Sequence, residues 1–413
     1  MIRIVESTAA AGLLRRRAAR MSQAEEVVRP ILEDVRKRGD KALMEYARRF
    51  DGLTRRSVAV PQAELDAAAG RLSPQFRHAV QTSARNVRAF AKLQMPAAKR
   101  IEPAPGLKLS QIVRPLESVA AYIPAGRYPL PSTVIMTVVP AHVAGVERIM
   151  VATSRPVDEI LGAAALLKAT HVFEMGGAQA IAAFAYGTRT VPRADRIVGP
   201  GNIYVAAAKK LLAGEVGIDF VAGPTEILII ASDGDPRVLA ADMLAQAEHD
   251  TAASAILLTR SKRLAKAVAA EIEKQLETLP TAPTARAAIE RNSAIILVGS
   301  DTEAVELSNR FAPEHLSLHD PSLLAGVRHA GSVFLGPSSP EAAGDYASGP
   351  NHVLPTSGAA RLRGGLSAAD YLKVISVQEL SPRALDRLAP AITTLARAEG
   401  LEAHARSVEV RRG

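Results

Sequence analysis

Four histidines of this sequence lie beside other polar side chains with which they could share a chemical task. These groups are Gln246 with His249, Glu314 with His315, Asp345 and Asn351 with His352, and Glu399 with His404. Imidazole nitrogens and amide or carboxylate oxygens bind zinc and neighbouring divalent ions, and a carboxylate near an imidazole can serve as acid and base. The chain has no cysteine, which excludes thiolate ligands, disulfides and covalent thiol intermediates. The pattern predicts a metal and acid/base site without sulfur.

The segment QAEHD offers two possible ligands three residues apart. If residues 242–250 are helical, Gln246 and His249 share one face, with Cβ atoms roughly 5–6 Å apart. They could then hold a divalent metal ion. The alternative is a solvated helix end, where a histidine interacts favourably with the helix dipole. Two ligands are half of a usual zinc site, so this segment alone leaves both interpretations open.

The other polar groups lie where regular structure is interrupted. Adjacent strand residues point to opposite faces, so Glu314 and His315 can act together only on irregular backbone, which Pro313 favours. The long polar segment 340–361 carries Asp345, Asn351 and His352, and loops of this length inside a domain are usually functional. Near the carboxyl end, Gly400 lies between Glu399 and His404 and is expected to end the helix that precedes it.

The amino-terminal third is predicted to be helical. Residues 1–20 favour an ordinary helix over a secretory signal, because a triple arginine interrupts their apolar stretch. Ser22 to Glu25 makes a capping-box pattern, Gly39 interrupts the following helix, and Asp51-Gly52 closes the next. A further helix is predicted from about Pro74 to Gln94.

From Val113 onward, short β-branched runs alternate with alanine-rich helical stretches. These runs are SVAAYI, RIMVAT, HVFEM, RIVG, EILIIAS, SAILLT, AIILVGS and GSVFLG. Strands that alternate with helices indicate mostly parallel sheets, and their number indicates two α/β units. After about Ser367 the chain is predicted to form a strand at YLKVISV and a helix from Pro382 to Glu399, as an appended tail.

Two glycine-rich turns precede helical stretches. MGGAQAIAAFA (175–185) and VGPGNIYVAAAKK (198–210) bring free N–H groups to a helix start, which favours phosphate. Neither has the full dinucleotide fingerprint, since Tyr204 stands where the third glycine would be. Cofactor binding and close packing of a helix on a sheet explain the turns equally well.

Composition limits the class of protein. The chain has 413 residues, of which 48% are apolar, and no apolar run reaches the ~18 residues of a membrane span, so we expect a soluble, cytoplasmic protein without a membrane partner. Its net charge of +9 could suit nucleic acid. The basic residues are dispersed, however, aromatic residues make up only 4%, and no recognition motif occurs, so we expect small anionic ligands and no nucleic acid.

Taken together, the sequence resembles the histidinol dehydrogenase family over nearly its whole length. The resemblance rests on YIPAGRYPLPSTVIM, GGAQAIAAFAYGT, VGPGNIYVAAAK, AGPTEILIIA, QAEHD, NRFAPEHL, GDYASGPNHVLPT and EGLEAHA, in this order. It implies an α/β fold of two incomplete Rossmann-like domains with parallel sheets, an amino-terminal helical arm, and a carboxyl-terminal tail exchanged in a homodimer. The implied limits are 1–20 for the arm, 21–121 with 226–368 for the first domain, 122–225 for the second, and 369–413 for the tail.

The resemblance also implies a reaction. L-histidinol would be oxidised twice, through histidinal and its hydrate, to L-histidine in histidine biosynthesis, with NAD and one zinc ion per subunit. His315 would take the alcohol proton and Glu314 would activate water. The implied zinc ligands are Gln246, His249, Asp345 and, from the second subunit, His404. The implied substrate contacts are Ser132, Thr225, Gln246, His249, His315, Asp345, His352, Glu399 and His404, and the implied NAD contacts are Tyr122, Gln179 and Asn202.

Some positions depart from the family pattern. Ala125 replaces a glycine, Arg127 a small residue, Thr225 a serine, and Ala91 a histidine. An arginine beside the active-site loop could favour an anionic substrate, and Arg127 with Thr225 resembles a branch that oxidises a sulfonated diol. Ser132, Asp345 and His352 keep the histidinol pattern, so histidinol is the expected substrate and a paralogous dehydrogenase of another small alcohol is the alternative.

Overall fold

The computed structural model describes residues 1–12, 19–125 and 128–412 of the chain. Its strands are β1 (Arg3–Glu6), β2 (Lys99–Ala104), β3 (Leu107–Pro115), β4 (Ser118–Tyr122), β5 (Arg148–Thr153), β6 (His171–Glu174), β7 (Arg196–Val198), β8 (Gly217–Ile218), β9 (Glu226–Ile230), β10 (Ser254–Thr259), β11 (Ala294–Leu297), β12 (His315–Leu318), β13 (Ser332–Leu335) and β14 (Leu372–Leu380). Its α-helices are α1 (Ala19–Arg38), α2 (Asp40–Tyr46), α3 (Gln62–Arg71), α4 (Pro74–Leu93), α5 (Pro131–Ala144), α6 (Asp158–Leu166), α7 (Gly177–Tyr186), α8 (Ile203–Leu212), α9 (Pro236–Ala247), α10 (Lys262–Leu276), α11 (Ala282–Asn292), α12 (Asp301–Phe311), α13 (Glu341–Tyr346), α14 (Pro382–Ala398) and α15 (Glu402–Glu409).

One parallel sheet contains β6, β5, β4, β7 and β8, in that order. Side chains alternate between the faces of a strand. Val119 and Ala121 of β4 therefore face the core that contains α3, α4, α5 and α6, whereas Ala120 and Tyr122 face the core that contains α1, α2, α7 and α8. Burial of both faces explains why these strands are almost entirely apolar.

A second parallel sheet contains β1, β11, β10, β9, β12 and β13. Ile227 and Ile229 of its central strand β9 pack against α9, α10 and α11, while Leu228 and Ile230 face the side covered by α12. The predicted α/β class with parallel sheets is confirmed, and each strand predicted between residues 118 and 336 is present.

Two local predictions for the helices were wrong, and one condition considered for the sequence is not met. Arg3–Glu6 is an edge strand parallel to β11 rather than a helix, because Ile2 and Val5 pack on opposite sides of that sheet. Ser22 lies inside α1, which already begins at Ala19, so it caps no helix end. Helix α9 ends at Ala247, which places His249 beyond the helix.

The helices of residues 19–93 pack on the five-stranded sheet. Helix α1 contacts α7 and α8, α3 contacts α6, and α4 contacts α5. The expected limits instead grouped residues 21–121 with the domain of residues 226–368. Apolar side chains account for this packing, since Val28 and Leu32 join one core of the five-stranded sheet and Val80 and Val87 join the other. The domain limits expected from the resemblance stay a prediction.

A three-stranded antiparallel sheet joins the tail to the rest of the chain. Strand β14 pairs with β3 from Leu372 opposite Pro115 to Leu380 opposite Leu107, and β2 pairs with the other edge of β3. The tail strand and helix were predicted, but the β2–β3 hairpin was not. Among the described helices, none combines the length and apolarity needed to cross a membrane.

Candidate active site

The polar residues collect where the edges of the two parallel sheets meet. Thr225 and Glu314 immediately precede strands β9 and β12, and therefore lie at the amino edge of the six-stranded sheet. Tyr122 ends β4 at the carboxyl edge of the five-stranded sheet. His352 connects these regions, because its Nε2 lies 3.1 Å from Thr133 Oγ1 in α5 and its Nδ1 lies 2.8 Å from the Asp345 carbonyl. The sheets thus form the two walls of one site.

His315 is a buried imidazole with one bonded nitrogen and one free nitrogen. Its Nδ1 lies 3.2 Å from the Glu226 carbonyl oxygen, which can only accept, so Nδ1 carries a proton. The buried Nε2 has no hydrogen-bond partner among the described residues and lies 3.7 Å from Asp345 Oδ1. In the neutral ring Nε2 would then be the proton acceptor, as a catalytic base requires.

Carboxylates surround this imidazole. Burial lowers the pKa of His315, but the charges of Glu341 and Glu314 outweigh burial and raise this pKa well above its ordinary value. A cation held next to Asp345 would oppose that effect and favour the neutral ring.

Glu314 is fixed by two hydrogen bonds to the start of β9. Its Oε2 accepts from Thr225 Oγ1 at 2.6 Å and from the Glu226 backbone N–H at 2.8 Å. Burial raises the pKa of Glu314 to about 7, against the smaller opposing effect of His315. A carboxyl group that titrates near neutral pH suits general acid–base catalysis. Glu314 occupies a bend and His315 begins the strand, so irregular backbone at Glu314 allows the two to share a site.

Gln246 and Glu341 form the floor of the site. The Gln246 amide lies between Thr225 and Glu341: its Nε2 donates to Thr225 Oγ1 at 2.6 Å, and its other end lies 3.0 Å from Glu341 Oε2. Glu341 Oε1 also lies 3.4 Å from His315 Nδ1. Burial raises the pKa of Glu341 well above its ordinary value. Glu341 was not expected from the sequence, although it lies four residues before Asp345 on the short helix α13 and therefore shares its face.

The donor set fits a divalent metal ion. His249 Nε2 lies 3.9 Å from Asp345 Oδ2, so two of the expected ligands approach each other. Burial acts to raise the pKa of Asp345, yet the neighbouring His315 keeps this pKa below its ordinary value, and an ionised carboxylate is what a cation needs. Ligand atoms of His315, Glu341 and Asp345 also lie within 4.8 Å of one another. Nitrogen and oxygen donors of this kind suit zinc.

Two expected site residues lie apart from this cluster. Glu399 directly follows α14 as its C-cap residue and His404 lies on α15, and both are exposed. No hydrogen bond or ion pair joins either side chain to the cluster among the described residues. Ser132, by contrast, is buried in the first turn of α5, next to the Thr133 that contacts His352.

The three expected NAD contacts lie at the carboxyl edge of the five-stranded sheet. The Tyr122 hydroxyl accepts from the Gly177 N–H at 3.2 Å, and burial raises the pKa of this tyrosine to about 12. Gln179 donates to Asp51 Oδ2 at 3.0 Å. Asn202 is exposed and caps α8 by accepting from the Tyr204 and Val205 N–H groups. Asp51 was not expected here, because it lies far away in the sequence on a short π-helix.

Several N–H groups in the two glycine-rich turns are bonded within the protein. Asp51 accepts from the Gly176 N–H at 3.0 Å, Tyr122 accepts from Gly177, and Asn202 caps α8. Among these N–H groups the packing interpretation is therefore favoured over phosphate binding. Gly126 and Arg127, whose neighbourhood bears on substrate choice, lie outside the described residues.

Comparisons with known proteins agree on one family. A family model described as histidinol dehydrogenase matches residues 14–412. A histidinol dehydrogenase of Geobacter sulfurreducens is 47% identical over 400 residues, covering 94% of this chain and 93% of the relative. One of Methanothermobacter thermautotrophicus is 46% identical over 390 residues, covering 92% and 91%. The crystal structure of histidinol dehydrogenase from Elizabethkingia anophelis superposes with a TM-score of 0.94 at 35% identity, covering 99% of this chain and 98% of that chain.

Proposed function

Because the chain belongs to the histidinol dehydrogenase family, we propose that Glu314 and His315 catalyse its oxidation of L-histidinol to L-histidine, with zinc and NAD as cofactors. Histidinol oxidation as an NAD-dependent step of histidine biosynthesis follows from the family. The observation that supports the residue roles is the free, buried Nε2 of His315 beside a hydrogen-bonded Glu314.

We assign the cofactors to the residues that the sequence resemblance suggested. Zinc would be held by Gln246, His249 and Asp345, with His404 supplied by the second subunit. NAD would contact Tyr122, Gln179 and Asn202. When bound, zinc would hold the amino and imidazole nitrogens of the substrate, and NAD would accept a hydride in each oxidation.

The substrate would lie between the two walls. We propose that the substrate contacts the metal ligands and also Ser132, Thr225, His315, His352 and Glu399, with Glu399 coming from the second subunit. Burial lowers the pKa of His352, so its ring is neutral and can hydrogen-bond without adding charge.

Proton transfer follows from the contacts of His315. In the first oxidation His315 Nε2 takes the alcohol proton as a hydride leaves the carbon, which yields the aldehyde. The Glu226 carbonyl holds Nδ1–H and so keeps Nε2 directed at the substrate. The carboxylates around the ring stabilise the imidazolium that forms.

The second oxidation needs water, since the chain has no cysteine to form a thiohemiacetal. Glu314 takes a proton from a water molecule while the oxygen of that water bonds to the aldehyde carbon. Protonated His315 returns its proton to the aldehyde oxygen. The resulting hydrate has a hydroxyl that His315 deprotonates again while the second hydride leaves. Histidine is the product, and His315 and Glu314 each release the proton they hold to solvent before the next cycle.

Counting NADH tests this proposal. The purified enzyme with zinc is expected to produce two NADH for each L-histidinol, and a chelator is expected to abolish turnover because the substrate then loses its anchor. Readdition of zinc should restore the rate. A sulfonated diol serves as the control substrate and is expected to be oxidised poorly. Turnover that survives complete zinc removal, or a preference for the diol, would contradict the assignment.

We also propose that two chains form a homodimer in which each tail completes the other's site. Helix α15 packs on α14, and α14 on β14, while the apolar side chains of Val374, Ile375 and Val377 on β14 remain exposed in one chain. An exposed apolar strand that continues into the exposed His404 suits an interface between copies. A cytoplasmic location stays a prediction.

Mixed dimers test the exchanged tail. His404→Ala and His315→Asn chains, each inactive alone, are to be unfolded together and refolded. If His404 serves the other chain's site, each mixed dimer has one intact site, and activity should return to about a quarter of wild type. Refolding each variant alone provides the control. If His404 serves its own chain, no combination restores activity.

A further inference from the structure

A buried ion pair lies beneath the turn that carries Asn202. Lys209 of α8 and Asp219, just after β8, are 2% and 5% exposed, and Lys209 Nζ contacts Asp219 Oδ1 directly. Removing two charges from water costs several kcal/mol per ion, and an apolar pair of similar volume is often as stable. Stability alone therefore gives little reason for this pair.

Two further hydrogen bonds of the pair hold both backbone polar groups of one residue, Gly199. Asp219 Oδ2 accepts from the Gly199 N–H at 2.8 Å, and Lys209 Nζ donates to the Gly199 carbonyl at 3.0 Å. Gly199 has φ +108, and a Cβ there would lie 2.2 Å from the Tyr122 carbonyl oxygen. The turn from Gly199 to Asn202 is therefore fixed on both sides of Gly199 and against the end of β4.

The same carboxylate also holds the start of the segment that leads to Thr225. Asp219 Oδ1 accepts from the Phe220 N–H at 2.6 Å, and Arg363 donates to the Asp219 carbonyl at 2.7 Å. From Phe220 the chain runs to Thr225, which donates to Glu314. One ion pair thus joins the turn before Asn202 to the segment that ends at Thr225.

We propose that Lys209 and Asp219 are positioning residues for NAD. They fix the position of the Gly199–Asn202 turn relative to the Phe220–Thr225 segment. Asn202, an assigned NAD contact, is thereby aligned with Thr225, an assigned substrate contact, before NAD binds. This inference rests on the proposed function, because it takes Tyr122 and Asn202 as NAD contacts. Neither residue reaches the reacting atoms.

The experiment compares Lys209→Met with wild type in the zinc-loaded protein. The KM for NAD is expected to rise about tenfold or more, as for the loss of hydrogen bonds from a charged group, while the KM for L-histidinol stays near its wild-type value. If Lys209→Met fails to fold because Asp219 is left unpaired, Lys209→Met/Asp219→Asn removes both charges and is measured instead. Val268→Ala, on the buried face of α10 and away from the turn, serves as the control for lost stability and should leave both KM values unchanged.

Hydrogen exchange of the cofactor-free protein separates the possible failures. Peptides that contain Gly199 are expected to exchange faster in the variant, and peptides from β9 are not. Unchanged exchange at Gly199 would disprove the fixed turn. Faster exchange with an unchanged KM for NAD, or equal rises in both KM values, would disprove the role in NAD positioning. If wild type itself does not oxidise histidinol with NAD, the proposed function fails, whereas the exchange result still judges the turn.

Discussion

Replacing His315 with asparagine is expected to lower the rate of histidinol oxidation by about 10²–10⁴, the usual contribution of one acid–base group. Asparagine can still donate to the Glu226 carbonyl that Nδ1 contacts in the native protein, but it offers no basic nitrogen where Nε2 stands. Both oxidations need this base, so neither histidinol nor histidinal should support rapid NADH formation. Stopped-flow measurement of the first NADH isolates the effect on the first oxidation.

The matched control for this variant is His319→Asn, which makes the same change beyond the other end of β12. It should retain wild-type turnover. Zinc content should be unchanged in His315→Asn, because His315 is not among the assigned ligands. Wild-type turnover of His315→Asn with zinc bound would show that another group takes the proton, whereas loss of zinc together with activity would place His315 among the ligands.

Glu314→Gln is expected to slow the second oxidation while leaving the first one intact. Glutamine can still accept from Thr225 and from the Glu226 N–H, so the local structure and the first oxidation should persist. Water activation is lost, and hydration of histidinal should slow by about 10²–10⁴. NADH per histidinol should fall from two toward one, and an aldehyde-trapping reagent should collect histidinal. Glu306→Gln, on an exposed position of α12, provides the control and should leave the ratio at two.

The pH dependence of the second oxidation follows from the same carboxyl group. Glu314 must be ionised to take a proton from water, and burial raises its pKa to about 7. Oxidation of histidinal should therefore increase as the pH rises through about 7 and decline on the acid side. The fall on the acid side should disappear in Glu314→Gln. A profile that is flat in the wild type, or equally steep in the variant, would exclude Glu314 as this base.

The raised pKa also has a consequence for stability, with a defined sign. A carboxyl group whose pKa is higher in the folded state favours folding most when protonated. This contribution of Glu314 is present below its ordinary pKa and is lost as the pH rises through about 7. The pH range in which Glu314 becomes catalytically competent is thus the range in which its burial becomes unfavourable.

Local sequence predicted most of the elements and the candidate catalytic residues. Short β-branched runs identified β4, β5, β9 and β10, because strands buried on both faces are mostly apolar. The adjacency of Glu314 and His315 could be read directly, as could the QAEHD pair. What these features share is that the residues concerned are neighbours along the chain.

Only the tertiary structure decided which distant groups meet. Glu341 contacts Gln246, and Asp51 accepts from the Gly176 N–H at the start of α7. The sequence around Glu341 and Asp51 differs little from that around many exposed acids. The helices of residues 19–93 pack on the five-stranded sheet because their apolar faces complete its two cores. The site itself lies between the amino edge of one sheet and the carboxyl edge of the other. Strand positions follow from short β-branched runs along the chain. The contact between the edges of the two sheets depends instead on how whole layers pack, which no short segment encodes.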